Sequence, residues 1–594
     1  MPSLLTTTAL ILLPLLYFTH TFLLLLLRQR LSPLRLLPRP PAPSLLTGNL
    51  AELHDQENTG LFARWTATHG PSFCYRGFLG GSRLITTDPR AIAHILGHAY
   101  EYPKPDFVSD SLATMAAGEE GLLTVEGETH RRQRKIIAPA FGRRHVRSLA
   151  PVFVRKAGEL RDRWAEMADA VPAGGRPPRV DVLAWLSRAT LDVIGLAGFG
   201  YEFNALAPRA EGEAGDELAE AFATIFSTAR KFRIMTILQV WFPLLRRFRR
   251  NNKTMADAQS TMRRIGTHLI DTRKAAVFAE LAAAKSASSS SASSHPSGID
   301  GDTTVLGRDL LSVLIRSNLA SAGTPAAQLS SAETLCQIST FIAAGFETTS
   351  SALSWALFAL SGAPGAQMKL REAMRAVPPP PQDTEGEGGD GGGGGEDAWD
   401  AWVSALDALP YLDWTVRESL RLHAPITNTM RVFDPPPSSP LADRNTDVIP
   451  TSAPWVGRDG VTRTGIEIRR GDIISVPIQA VNRGEGVWGA DAGKHGGKTK
   501  HGVPGLYAGI LTFLNGNPLS GNRACIGYRF ALLEMKVFLY VLLRDLEVGI
   551  DPGLVIEKKI NVVTRPFVAS EPGLGNQLPL RISRVKQHGG GGEL

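Results

Sequence analysis

The stretch "SGNRACIGYRF", 520–530, holds the cysteine whose surroundings most suggest chemistry. The chain has three cysteines, Cys74, Cys336 and Cys525. A buried free cysteine ordinarily packs as a small apolar residue. Cys525 differs because an apolar-striped segment follows it at once, which places it at the N-terminus of a helix. Free backbone N–H groups and the positive end of the helix dipole favour a thiolate there. Gly521 and Gly527 bracket the cysteine and leave room for something flat to approach the backbone. Arg523 offers a cation for a negative group. Such a thiolate serves as a nucleophile or as a metal ligand. A nucleophile needs a base, and no histidine lies in this local segment.

The ligand reading asks for an iron-bearing group with anionic edges, and other residues can meet that demand. His130 and Arg134 in "GETHRRQRKIIAPAFG" stand four apart, on one helix face. Arg431 in "NTMRVF" adds a further cation. Within the apolar segment "AAGFETTS", Glu347 precedes Thr348. A carboxylate in an apolar helix is costly unless it has a partner or a task. Thr348 can bond back to a carbonyl one turn earlier and distort the helix, and Gly345 would ease that distortion. The pair could then pass protons inward to bound dioxygen. Glu418 and Arg421 stand three apart and share a helix face. Exposed, such a pair is worth little; buried, it would fix a loop.

These residues need elements to hold them. Leu4 to Leu27 carries no charge, and as a helix it would span about 36 Å, enough to cross a bilayer core of about 30 Å. Arg28, Arg30, Arg35 and Arg39 follow it, which places the remainder in the cytosol. Residues 4–27 therefore read as a transmembrane anchor, and 28–44, ending in "PRPPAPS", as a basic, stiff linker. Residues 284–302 and 378–397 read as disordered insertions, and 586–594 as a flexible tail. Between them the pattern is mainly helical. The longest helix is expected from about Ser331 to Leu360, with Ser330 and Glu333 at capping-box spacing and Gly362 and Pro364 as its stop. Strands are expected in "SRLITT", "IISVPI" and "LPLRIS". The net charge of +7 comes with no basic–aromatic run, so nucleic-acid binding is not expected.

Taken in order along the chain, "HRRQR", "AGFETT", "ESLR", "PIQAVNR" and "GNRACIG" resemble the cytochrome P450 superfamily, specifically its membrane-anchored, microsomal fungal type. The resemblance covers about Leu45 to Ile582. It implies a mainly α fold with a small β-sheet region, one large haem-thiolate domain (45–585) after the anchor. It implies haem b, with Cys525 as axial ligand of the iron and with His130, Arg134, Arg431 and Arg523 at the propionates. It assigns Glu347 and Thr348 to oxygen activation, and Glu418 with Arg421 to structure. The activity implied is a monooxygenase that inserts one oxygen atom of O2 into a lipophilic small molecule. Electrons would come from NADPH through NADPH–cytochrome P450 reductase, with Arg529 and Lys536 as candidate docking charges. The location implied is the endoplasmic reticulum membrane, single-pass, with the domain cytosolic. Residues 107–127 and 565–578 correspond to substrate-facing loops.

Two departures from the family pattern stand close together. Pro518 occupies the usual phenylalanine position, as though "PLSGN" were a five-residue insertion after "TFLNGN". After Ala492 the usual arginine-bearing segment is replaced by "GKHGGKTKHGVPG", where only Lys494, Lys498 and Lys500 could substitute, and lysine lacks the planar fork of arginine. These departures open an alternative, a catalytically impaired or non-catalytic P450-like membrane protein, or a defective gene model. A haem-thiolate isomerase or dehydratase is a further alternative, against which the Glu347–Thr348 pair counts.

Overall fold

The structure is a computed structural model that describes residues 4–116, 118–172, 174–207, 216–229, 253–288, 308–320, 328–381, 394–490, 492, 502–516, 522–560 and 562–585. Gly521, the inserted residues around it, the lysines after Ala492 and the tail 586–594 lie outside these. The elements used below are, in chain order, helices α1 (Leu4–Leu31), α2 (Pro89–Gly97), α3 (Gly127–Ile137), α4 (Arg143–Ser148), α5 (Ala150–Asp169), α6 (Val182–Phe199), α7 (Lys253–Ser288), α8 (Ser331–Ser361), α9 (Pro364–Arg375), α10 (Gly394–Asp407), α11 (Pro410–Leu422) and α12 (Tyr528–Asp545). The strands are β1 (Ser72–Arg76), β2 (Ser82–Thr86), β3 (Arg179–Asp181), β4 (Thr429–Val432), β5 (Thr446–Val456), β6 (Thr462–Arg469), β7 (Ile473–Val476), β8 (Leu546–Gly549), β9 (Ile556–Ile560), β10 (Thr564–Val568) and β11 (Pro579–Arg584). Helices dominate, and the sheets are small. The chain forms two compact units, one from Met1–Leu112, Ser227–Ala256 and Thr427–Ala524, the other from Ala113–Phe226, Asp257–Ile426 and Cys525–Leu594.

The first unit is organised by a four-stranded sheet in the order β1-β2-β7-β4. Its strands alternate apolar residues to both sides, because successive side chains point to opposite faces. Phe73, Tyr75 and Ile85 join Leu61, Phe62 and Trp65 on one side. Cys74, Leu84 and Ile474 join Leu34, Leu37 and Phe433 on the other. Cys74 is thus a packing cysteine, and burial pushes its thiol up to about 11. The β5–β6 hairpin is tied to α2 by a polar cluster. The His94 ring lies 3.0 Å from Asp447 Oδ2, and the Tyr102 hydroxyl donates to the same oxygen at 2.5 Å. The strands expected around Ile85 and Ser475 are β2 and β7; this hairpin had no clear signal.

The second unit is built around α8. Ser330 caps it, its hydroxyl accepting from the Glu333 amide at 3.0 Å while Glu333 accepts from the Ser330 amide at 2.8 Å. The helix runs unbroken to Ser361, and Gly362 and Pro364 end it as expected. Thr348 does bond back, its hydroxyl donating to the Ala344 carbonyl at 2.6 Å, but the helix is not widened there. Gly345 has a different task from the one expected. A β-carbon at that position would lie 2.9 Å from Ile194 Cγ1, so the glycine lets α6 pack closely on α8. Two sheets, β3-β11-β8 and β10-β9, complete the unit.

Two segments expected to be disordered are partly helical. Helix α7 continues to Ser288, and α10 begins at Gly394. Helix α6 is long and apolar enough to cross a membrane, but most of it is buried in the core. Helix α1 is continuous over 28 residues, and Leu12, Leu13, Leu16, Leu23, Leu24 and Leu27 along it are exposed.

The Asp447 cluster predicts an acid-sensitive contact. The His94 hydrogen bond holds this carboxyl well below the usual carboxylate range; burial opposes it, and Tyr102 and the Val448 amide add to it. A depressed folded-state pKa stabilises the fold above the ordinary carboxylate value of about 4 and is lost as pH falls further. Asp447→Asn is expected to lower stability near neutrality by about 1–3 kcal/mol and to flatten its acid dependence. Urea midpoints from about pH 3 to about pH 7 check this.

Candidate active site

Cys525 lies two residues before Gly527, the N-cap of α12, so it stands just ahead of the first helical turn. The cysteine is exposed, yet enough protein surrounds it to push its thiol up; the Gly527 amide and the Arg134 guanidinium pull the other way and are outweighed. The expected low-pKa thiol is therefore not produced by the helix end alone. A bound metal cation would deprotonate it outright. Arg134 is on α3, with His130 one turn earlier and buried. A β-carbon on Gly527 would make an ordinary 3.5 Å contact with Phe141, so protein packing does not itself demand glycine there. Phe141 in turn meets Phe341 of α8 edge-on at 5.3 Å. Phe141 thus packs on α8 and lies beside the cysteine loop.

On α8, Glu347 is 5% exposed and is ion-paired with Arg565 of β10. Sequence reasoning missed Arg565, which it placed only within a substrate-facing stretch. Ala344, one turn before Thr348, is exposed on an otherwise buried helix. A second carboxyl, Glu534 of α12, is fully enclosed. Burial pushes it well up, against the weaker pull of the Thr349 hydroxyl.

Arg431 and Arg523 are in the first unit. Burial lowers each to about 10, and the Tyr100 ring lies 5.5 Å from the Arg523 guanidinium. Arg431 donates to Thr429 Oγ1 at 2.7 Å and to the Met430 carbonyl at 2.8 Å. A third cation joins them. Lys104 is lowered well below the usual lysine range by burial first and then by Arg523 and Arg431. Arg431 is buried, Lys104 and Arg523 are half-buried, and the two arginines together depress the lysine, a grouping suited to an anion. The only sequence signal for Lys104 was its setting between two prolines.

Arg421 is fully buried and grips Glu418 with two hydrogen bonds, Nε to Oε2 at 2.8 Å and Nη2 to Oε1 at 2.6 Å. The expected intrahelical pair is present. Lys536 is not a docking charge: it is nearly buried, with its ammonium 3.1 Å from Asp407 and 3.0 Å from Asp413. Arg529 is exposed, lying over the Tyr528 ring.

Comparison with known proteins places this geometry. The family model described as Cytochrome P450 matches residues 38–435. Cytochrome P450 monooxygenase 205 of Postia placenta is 38% identical over 563 residues, covering 93% of each chain. Cytochrome P450 monooxygenase 128 of the same fungus is 36% identical over 575 residues, 95% of this chain and 94% of that protein. Cytochrome P450 monooxygenase claP of Ampulloclitocybe clavipes is 31% identical over 578 residues, 94% of each. The relatives' matches extend over nearly the whole chain, beyond the end of the family-model match.

The cation cluster makes opposite demands with and without an anionic cofactor. Lys104→Met is expected to raise the urea midpoint of the haem-free chain, because a repelling charge is gone. The same change should weaken haem retention by roughly tenfold, equivalent to about 1.4 kcal/mol. Midpoints of haem-free protein and haem transfer to an apo-globin acceptor measure the two effects. Movement of both in one direction would show that Lys104 faces no anionic ligand.

Proposed function

The chain belongs to the cytochrome P450 family, a haem-thiolate monooxygenase by kinship, and from that premise we propose that it oxygenates a lipophilic small molecule with electrons from NADPH. The observation that carries this reading is that Phe141, which packs on α8, lies beside the Cys525 loop, while α8 bears Glu347 and Thr348. Haem b, when bound, supplies the oxygen activation, with the thiolate favouring O–O cleavage. The residues present fit it: an accessible cysteine ahead of a helix, and cations suited to carboxylates.

The chain's own residues then have distinct tasks. Cys525 would hold the haem iron through its thiolate. Arg431 and Arg523, with Lys104 added, hold propionate charge, and His130 and Arg134 have the same role. Gly527, with Gly521, leaves the backbone open beside the cysteine. Glu347 and Thr348 supply and orient protons. Glu418 and Arg421 fix structure. The catalytic domain runs over 45–585, with 586–594 as a tail. Helix α1, through its 4–27 stretch, is the single-pass anchor in the endoplasmic reticulum membrane, 28–44 is the linker, and the domain is cytosolic. Exposed leucines along α1 and the arginines after it support that placement.

NADPH–cytochrome P450 reductase is the proposed donor, docking on the cysteine side. Lys135, Arg143, Arg144 and Arg529 are exposed cations of the second unit, whereas Lys536 is already ion-paired. The reduced carbon-monoxide difference spectrum should show the long-wavelength Soret band, and Cys525→Ser should abolish it. A short-wavelength band in the unaltered chain would show that the thiolate is not retained. With purified reductase, Arg529→Gln should slow NADPH-driven reduction at low salt and flatten its salt dependence. Lys536→Met should leave that salt dependence in place and lower thermal stability. The reverse pattern would reassign the docking charge.

A further inference from the structure

The contact between Glu347 and Arg565 is held by more than its own charges. Glu347, Ser351 and Trp355 recur every four residues, so they share one stripe of α8. All three meet the start of β10. The Ser351 hydroxyl donates to the Thr564 carbonyl at 2.7 Å, and the Trp355 indole donates to the same carbonyl at 3.3 Å. The Thr564 amide donates to the Pro425 carbonyl at 2.8 Å. The next residue is Arg565, whose backbone is further paired opposite Lys559 in β9. The base of the arginine is therefore fixed to the same helix that carries the carboxylate. The side chain of Arg565 is 20% exposed and that of Glu347 is 5% exposed, so the guanidinium is the more solvent-facing member of the pair.

We propose that Arg565 is a positioning residue for proton supply, one that fixes the orientation of the Glu347 carboxylate. This deepens the monooxygenase reading and rests on it. The step is a proton relay without change of oxidation state. A solvent hydronium gives its proton to a Glu347 oxygen, forming an O–H bond and leaving water behind, and the attraction to Arg565 weakens. That O–H bond then breaks as the proton passes to a water on the Thr348 side, and the carboxylate returns to the guanidinium. Structure alone is a weak reason for the pair, since a buried ion pair is often no more stabilising than apolar residues of the same size. The orientation of one carboxylate, with its carrier helix clamped to the strand that holds the cation, is what the arrangement specifically provides.

The test uses the full haem-loaded chain with reductase, NADPH and O2, and compares Arg565→Gln, Arg565→Lys, Glu347→Gln and the Arg565→Gln/Glu347→Gln double variant. Two quantities are read: the hydrogen peroxide released per O2 consumed, and the solvent deuterium isotope effect on O2 uptake. Arg565→Gln and Glu347→Gln are each expected to change the peroxide fraction by up to about tenfold. The double variant should go no further than either single one, and Arg565→Lys should recover most of the loss. Urea midpoints of the same four proteins, read with or without haem, should be non-additive. An unchanged peroxide fraction and isotope effect alongside a lowered midpoint would make Arg565 merely structural and overturn the proposal. Additive midpoints would overturn it without any reference to haem. If Arg565→Gln does not fold, Arg565→Lys and Glu347→Gln carry the comparison. Absence of a thiolate carbon-monoxide band in the unaltered chain would instead count against the monooxygenase reading.

Discussion

A carboxylate on a buried helix must find a cation or give up its charge, and the second unit depends on how three glutamates meet that demand. Glu333 sits in the first turn of α8. Burial works against its charge, but Arg132, the Ser330 amide and Gln133 outweigh it and hold it below its usual range. Glu347, well along the helix, is matched by Arg565. Glu534 of α12 is enclosed, and burial pushes its carboxyl well up. The outcomes follow from what each side chain can reach, since isolated charge in an apolar interior is far too costly to persist. They also fix the neighbours. Gln133 Nε2 donates to Glu333 at 3.0 Å while its carbonyl accepts from Gln337 at 3.0 Å, so α3 is tied to α8 by the capping carboxylate and the turn after it. Arg134, which acts on Cys525, is carried on that same α3.

Cations in the first unit show the converse. Lys104, Arg431 and Arg523 are together despite mutual repulsion, and burial adds to the cost. The backbone around them is tightly held: the Val432 amide donates to the Pro103 carbonyl at 3.0 Å, and β4 pairs residue by residue with β7. A cluster held this firmly cannot relax by splaying its charges apart.

Features governed by local chemistry were legible in the sequence. The bounds of α8 followed from a capping box and a Gly–Pro stop, and β2, β7 and β11 from their apolar runs. The Glu418–Arg421 contact followed from helical spacing. What depended on distant partners was not legible. Arg565 is far from Glu347 in sequence, and nothing local marks it. Lys536 looked like a surface charge because its partners, Asp407 and Asp413, lie on other helices. Gly345 was read as a relief for strain, when its neighbour Ile194 on α6 explains it. The helix was taken to begin at the cysteine, whereas α12 begins at Tyr528, and the enclosure that pushes the Cys525 thiol up comes from residues that its own segment does not reveal.

The helix after the cysteine is anchored along its length. Nearly every turn of this helix has a fixed point. Phe530 meets Phe153 of α5 at 4.9 Å, Lys536 is ion-paired to α10 and α11, and the Tyr540 hydroxyl donates to the Pro378 carbonyl at 2.8 Å. Arg371 of α9 donates to the Leu543 and Leu546 carbonyls at 2.9 Å and 3.1 Å, satisfying groups that a helix end leaves open. Position and rotation of α12 are therefore set from within the second unit, from Phe530 onward. The helix that follows Cys525 is thus held at successive turns by partners within its own unit.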